Sequence, residues 1–260
     1  MTQDLVTSEV EQGVLRVCIN RADKRNPLSR AVLNDLRATF EAAAGTADLR
    51  CAVLRGAGDK TFASGGDLKE LADVKGAEAA RDMAENAKRA LAAVREFPLP
   101  VIAALNGDAL GGGAELAMAC DMRFAASGAR IGYIQGRLAI TSAWGGGTDL
   151  VRLVGPSRAL QLLSRSDVLE AQDAQALGLI NAVAEGETDF ETAIDAYLEP
   201  MRRQSPHVMR AFKALVLPSR TEGRATLDEI ETANFSHAWA HPDHDAAVAD
   251  LLNKKAAKQR

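Results

Sequence analysis

The chain has 260 residues, 47% of them hydrophobic and 25% charged, with a formal net charge of −4. That composition describes an ordinary globular chain with one sizeable core, in which scarce aromatics (4%) leave Ala, Leu and Val to fill most of the interior. The acidic balance without a Lys/Arg stripe argues against nucleic acid as a main partner, and no apolar run approaches the length of a membrane span.

The first segment, MTQDLVTSEVEQG, lacks a basic region followed by an apolar stretch, so no secretion signal is expected. Alternation in Leu5–Val10 and Val14–Asn20 around Gly13 predicts a β-hairpin. Ser29 is placed to cap an amphipathic helix through about Ala44, with Val32, Leu33, Leu36 and Phe40 on one side. Cys51–Leu54 is a short buried strand, and the loop Gly56–Gly66 follows. A helix begins near Asp67, and another covers about Ala77 to Glu96 before Pro98 and Pro100 stop it. Val101–Leu105 is the next buried strand, leading through Asn106-Gly107 to Gly111-Gly112-Gly113 and a helix over Ala114–Ala119. Strands are expected around Met122–Ala126 and Arg130–Tyr133. From Gly145 short helices alternate with one strand, Leu179–Ala184, and long helices run from about Phe190 to the end. The chain therefore divides into an α/β core, residues 1–189, and a helical C-terminal region, residues 190–260. Cys18, Cys51 and Cys120 are widely spaced in apolar contexts and read as reduced core thiols, which fits a cytoplasmic location.

Two segments share one design: a buried strand, a glycine turn, then the start of a helix. They are Thr61–Lys69, containing Ser64-Gly65-Gly66-Asp67, and Asn106–Leu116, containing Gly111-Gly112-Gly113. Glycines let a backbone approach a ligand closely, and the helix behind the turn adds a partial positive charge. Two such N–H groups meeting at one point form an oxyanion hole. Neither segment matches the dinucleotide, Walker or serine-hydrolase patterns. One glycine turn is satisfied by tight packing alone; two in tandem point to a ligand.

Phe62–Glu70 resembles the first signature of the enoyl-CoA hydratase/isomerase (crotonase) superfamily, and Asn106–Asp121 resembles the second. Asn20-Arg21, Asn26-Pro27-Leu28, Trp144-Gly145-Gly146, Leu153-Val154-Gly155 and Ala176–Ile180 continue the match in order. The resemblance implies a crotonase-type ββα spiral with a helical C-terminal trimerisation region, hence a homotrimer or a dimer of trimers. It implies an acyl-CoA substrate whose thioester carbonyl lies between the backbone N–H groups of Gly66 and Gly112. Ala63, Asp67, Leu68 and Lys69 would line the CoA site, Lys24 or Arg25 would lie near its phosphates, and Tyr133 and Trp144 would shape the acyl pocket. No cofactor or metal is implied beyond the coenzyme A of the substrate, and no membrane or nucleic-acid partner.

Glu115 lies on the first turn of the helix that Gly112 opens, spacing that can set its carboxylate beside the oxyanion. The resemblance makes it one of two glutamates that activate water in hydratases. Alignment puts Gln135 at the second, and no Asp or Glu occurs between Asp121 and Asp149. Glutamine orients a water or substrate oxygen but exchanges no proton as a carboxylate does. Two-glutamate hydration and isomerisation through this second carboxylate therefore lose support, and the resemblance implies a lyase that stabilises a thioester enolate: hydratase-like, or a decarboxylase of a malonyl-type thioester, which yields the same enolate without a strong base. Ser142–Gly146 resembles the branch containing alkylmalonyl-CoA decarboxylases. A non-catalytic CoA-binding scaffold and, with less support from the charge balance, an RNA-binding role are the rivals from other classes.

His237, His241 and His244 have helical spacing, but Pro242 interrupts it, and they read as surface residues rather than zinc ligands. Cys120 reads as core packing, Lys88-Arg89 and Lys254-Lys255 as solvated helix faces. Lys213 and the C-terminal lysines are within the range of positions that a trimer would bring toward a CoA phosphate.

Overall fold

A computed structural model of the chain describes residues 4–185 and 189–257. The chain opens with the antiparallel hairpin β1 (Val6–Glu11) and β2 (Val14–Ile19). Gln12 and Gly13 both have positive φ, the geometry that matches a two-residue hairpin turn to strand twist. Helix α1 (Arg30–Ala43) starts where Ser29 Oγ accepts from Val32 N–H, and it buries Val32, Leu33, Leu36 and Phe40 as its periodicity predicts. Then come β3 (Cys51–Gly56), β4 (Thr61–Ala63), the single turn α2 (Leu68–Leu71) and the long α3 (Gly76–Arg95). Next are β5 (Val101–Leu105), β6 (Asp108–Leu110), α4 (Gly112–Ala119), β7 (Met122–Ala125) and β8 (Arg130–Gly132). After α5 (Gly146–Val154) and α6 (Pro156–Arg165), β9 (Val168–Glu170), α7 (Ala171–Ala176) and β10 (Ala182–Val183) complete the core. Helices α8 (Phe190–Arg202), α9 (Pro206–Thr221), α10 (Arg224–Trp239) and α11 (Pro242–Ala257) follow. No helix among the described residues is long and apolar enough to cross a membrane.

The strands form two sheets. One has the order β1-β2-β3-β5-β7-β10, the other β4-β6-β8-β9. Consecutive strands alternate between them, β3 to β4, β5 to β6 and β7 to β8, with helices closing each step. The chain thus winds as repeated ββα units, and its inner pairings (β3–β5, β5–β7, β4–β6, β6–β8) are parallel. Central β5, Val-Ile-Ala-Ala-Leu, is buried at every residue, as expected for a parallel strand covered on both faces. On one face it packs toward α1 and α3; on the other, Ile102 and Ala104 join Val14, Val53 and Phe124 beneath Ile194 and Leu198 of α8.

The sequence set no bounds for three strands, β4, β6 and β9, of three residues each. Such pieces are too short to show a period of two. The strand expected over Leu179–Ala184 shrinks to Ala182–Val183, and the helix expected from Ala114 starts at Gly112.

Buried ion pairs join the last helices to the core. Arg95 of α3 makes a two-pronged contact with Asp149 of α5 (2.7 Å at Nη2), which also takes Arg224 (2.7 Å) and Arg220 (3.5 Å). Asp121, at the entrance to β7, holds Arg220 (2.8 Å) and Lys213 (2.5 Å) and accepts from Val101 N–H. Lys213 is therefore not free to reach a CoA phosphate: it is 2% exposed and paired inside its own chain. The arginines around Asp149 outweigh its burial and hold its carboxyl below the usual carboxylate range. Removing one partner of such a cluster leaves buried charge uncompensated. Asp149→Asn should lower stability by about 3–5 kcal/mol, read as a fall in the urea midpoint with an unchanged slope.

Candidate active site

β4 and β6 are neighbouring parallel strands, with Thr61 opposite Asp108 and Ala63 opposite Ala109. Adjacent strands lie about 5 Å apart, so the turns leaving their C-terminal ends emerge side by side. The first runs through Ser64-Gly65-Gly66 and the second through Gly111-Gly112. A Cβ added to Gly65 would fall 3.5 Å from the Gly112 nitrogen. Gly111 has φ +56° and ψ −119°, a backbone state that side chains disfavour.

Both predicted oxyanion donors border one indole. A Cβ on Gly66 would lie 3.6 Å from Trp144 Cη2, and one on Gly112 would overlap the same ring. Gly66 bridges Leu28 in parallel fashion, with Leu28 N–H donating to Gly65 and Asp67 N–H to Leu28. In that ladder the Gly66 N–H itself points away from Leu28. Gly112 is the first residue of α4, whose N–H has no partner within the helix. Among the described residues neither N–H donates to the protein.

Glu115 is 2% exposed on the first turn of α4. Its Oε2 accepts from Trp144 N–H (2.8 Å) and Gly146 N–H (3.0 Å), and its Oε1 from Gln135 Nε2 (3.0 Å) and, more weakly, Ala143 N–H (3.4 Å). Burial pushes its carboxyl up to about 8, the charge of nearby Glu231 adds to this, and the three amides pull the other way. Gln135 lies on a short 3-10 turn, and its Oε1 is buried without a partner among the described residues. Tyr133 turns its hydroxyl to the Gly146 carbonyl (2.7 Å), so it braces the Trp144 turn. Burial, then the Glu115 charge, lifts its phenol well above the usual tyrosine range.

The other predicted binding residues divide. Leu68 is half-buried and Lys69 exposed beside the first glycine turn. Ala63 is buried, and its carbonyl packs so closely on Gly113 that a Cβ there has no room. Asp67 caps α2 through Lys69 N–H and pairs with Arg21 (2.8 Å), so its carboxylate is engaged in holding the turn. Lys24 and Arg25 are exposed, on the segment that Leu28 fastens to Gly65 and Asp67.

Two further sequence expectations need correction. His244 is 5% exposed, stacked 4.4 Å from Trp239 with Nδ1 2.6 Å from the Leu138 carbonyl; it is a core contact of α11, not a surface residue. Lys88 is half-buried, with Nζ 3.6 Å from Glu231, while Arg89 is exposed as expected. Glu231 itself was not singled out, since nothing in the pattern of α10 marks it. Cys120 does pack in the core, where burial pushes its thiol up to about 12.

The raised carboxyl of Glu115 has a consequence for stability. Such a group stabilises the fold fully below the unfolded value of 4.5, and that contribution is lost as pH rises to about 8. Glu115→Gln should therefore gain stability relative to the parent chain as pH is raised from about 5 to about 8. Paired urea titrations across this range check it; a constant offset between the two proteins would contradict it.

Comparison with known proteins identifies the family and the fold. The profile of the family described as "Enoyl-CoA hydratase/isomerase" matches residues 9–258. A "Crotonyl-CoA hydratase" of Syntrophomonas wolfei subsp. wolfei is 36% identical over 261 residues, covering 99% of this chain and 98% of that protein. An "Ethylmalonyl-CoA decarboxylase" of Xenopus tropicalis is 27% identical over 233 residues, covering 89% of this chain and 78% of that protein. Among solved structures, an enoyl-CoA hydratase from Bacillus anthracis superposes with a TM-score of 0.79 at 30% identity, covering 96% of this chain and 97% of that one. The ββα winding is thus the crotonase fold, and the chain belongs to the enoyl-CoA hydratase/isomerase family.

Proposed function

We propose that this family member decarboxylates a malonyl-type acyl-CoA thioester, with Gly66 and Gly112 N–H holding the thioester oxygen and Glu115 serving as a neutral acid. The observation that carries the reading is the state of Glu115. It is a buried carboxyl with no cation beside it among the described residues, facing a glutamine where a hydratase would place its second glutamate. A group titrating near 8 keeps its proton at neutral pH and suits proton donation.

In the reaction the bond between Cα and the substrate carboxyl breaks and CO2 leaves. The electron pair becomes the enolate double bond, and the charge moves to the thioester oxygen, where two backbone donors stabilise it. The Glu115 proton passes to Cα, giving the shortened acyl-CoA, and Glu115 regains a proton from solvent. An amide presents oxygen and nitrogen at nearly equivalent positions. Facing a neutral Glu115, Gln135 accepts the acid proton through its oxygen and turns its NH2 toward the substrate carboxylate. Trp144, against both glycines, bounds the acyl chain. Ala63, Leu68 and Lys69 flank the pantetheine path, and exposed Lys24 and Arg25 are placed for the phosphates. Coenzyme A enters with the substrate, and no separate cofactor is invoked. Exposed Phe212, Leu215 and Val216 on α9 support assembly into a homotrimer or a dimer of trimers.

Hydration is the second reading, favoured by Gln135 Oε1, which has no partner among the described residues and is an acceptor suited to the O–H of an attacking water. There Glu115 must be ionised to act as base. The readings separate by pH. Decarboxylation should hold below about 8 and fall above it, whereas hydration through Glu115 should rise through the same value. The experiment measures CO2 release from methyl- or ethylmalonyl-CoA and loss of enoyl absorbance from crotonyl-CoA. CO2 release that Glu115→Gln reduces by roughly 100-fold or more supports decarboxylation. Enoyl hydration without CO2 release contradicts it, and no turnover of either with intact CoA binding points to a scaffold.

A further inference from the structure

Four consecutive amides, those of Trp144, Gly145, Gly146 and Gly147, alternate between two carboxylates. Trp144 and Gly146 N–H donate to Glu115 (2.8 and 3.0 Å), and Gly145 and Gly147 N–H donate to Glu231 (2.8 and 3.2 Å). Glu115 grips the turn from α4, and Glu231 grips it from α10. Ser142 Oγ–H donates to Glu231 as well (2.7 Å), so the carboxylate holds both ends of the segment that carries Trp144. Gly146 and Gly147 leave no space for side chains here: a Cβ on Gly146 would overlap Glu115, and one on Gly147 would meet Ser142 and Glu231.

We propose that Glu231 is a positioning residue for the reaction: it fixes the rear of the 142–147 turn, so that Trp144 and Gly146 N–H meet Glu115, and its negative charge opposes a second charge there. The proposal rests on the acid role given to Glu115 and adds what holds and tunes that acid. The groups around Glu231 decide which carboxyl ionises first. Lys88 of α3 lies 3.6 Å away, and Asp228 is the acidic neighbour on its own helix. Arg224, also on α10, donates to the Gly145 carbonyl (2.6 Å) and pairs with Asp228 (3.3 Å). Asp149 with its arginines lies further along α5, and Tyr133 donates to the Gly146 carbonyl. Burial raises both carboxyls. Glu231 has an ammonium, a hydroxyl and two amides that favour its anion, whereas among the described residues Glu115 has amides only, so the first proton leaves Glu231 and the second leaves Glu115.

The test compares Glu231→Gln and Glu231→Asp with the parent enzyme. Two readouts are followed: the pH limb of turnover and the titration of the Glu115 carboxyl by 13C NMR of labelled glutamate, assigned with Glu115→Gln. Removing the charge in Glu231→Gln should move both midpoints down from about 8 by about one unit. Glu231→Asp keeps the charge and should leave the midpoints near the parent value, while its shorter reach loosens the turn and lowers kcat several-fold. A Glu115 titration in Glu231→Gln that coincides with the parent overturns the proposal. Should Glu231→Gln fail to fold, Glu231→Asp decides through the same titration, and a midpoint displaced as far as loss of charge predicts contradicts it. Should the titration move while turnover is indifferent to Glu115, the coupling stands and the acid role assigned to Glu115 fails.

Discussion

The parallel pairing of β4 with β6 is the constraint on which the site depends. Each strand is three residues long, yet their adjacency brings two glycine turns, far apart in sequence, to the edges of one indole ring. The bridge to Leu28 leaves the Gly66 amide, and the start of α4 leaves the Gly112 amide, without protein partners among the described residues. A backbone donor of this kind is already oriented before substrate arrives, which is why electrostatic stabilisation by fixed dipoles is effective.

The second element is the turn before α5. Its amides are divided between Glu115 and Glu231, so one backbone segment fixes two acids and is fixed by them. The arrangement puts the helix α5 N-terminus, a region of partial positive charge, between two buried carboxyls. Burial still prevails at Glu115, where the proton is retained to about 8. The ion cluster of Arg95, Asp149 and Arg224 joins α3, α5 and α10 close by, so the helix that supplies Glu231 is anchored to the core independently of Glu231.

What the sequence made legible was local. The glycine turns and the Ser29 cap lie within a few residues of the features that define them, so spacing exposes their design, whereas the role expected of Glu115 came from the family resemblance. The long periodic helix α1 was recovered with its buried face intact. Legibility failed where tertiary contact decides. Three-residue strands carry no period, and α10 presents no pattern that marks Glu231 as facing the turn from the far side. Lys88 and His244 look like solvated residues on their own helices; Lys88 is covered because α10 packs over α3, and His244 because α11 docks it against Trp239 and Leu138. Lys213 reads as a free cation until Asp121 is seen to meet it.

The proposed reaction rests on one physical claim: a thioester oxygen would be held by the Gly66 and Gly112 N–H groups, with the protonated Glu115 carboxyl beside Cα. The most direct measurement is a crystal structure of the protein with a stable malonyl-type CoA analogue bound. The account predicts the thioester oxygen within hydrogen-bond distance of both the Gly66 and Gly112 nitrogens, with Glu115 on the side of the substrate carboxylate or α-carbon. A carbonyl bound elsewhere, or one that meets neither nitrogen, would contradict it.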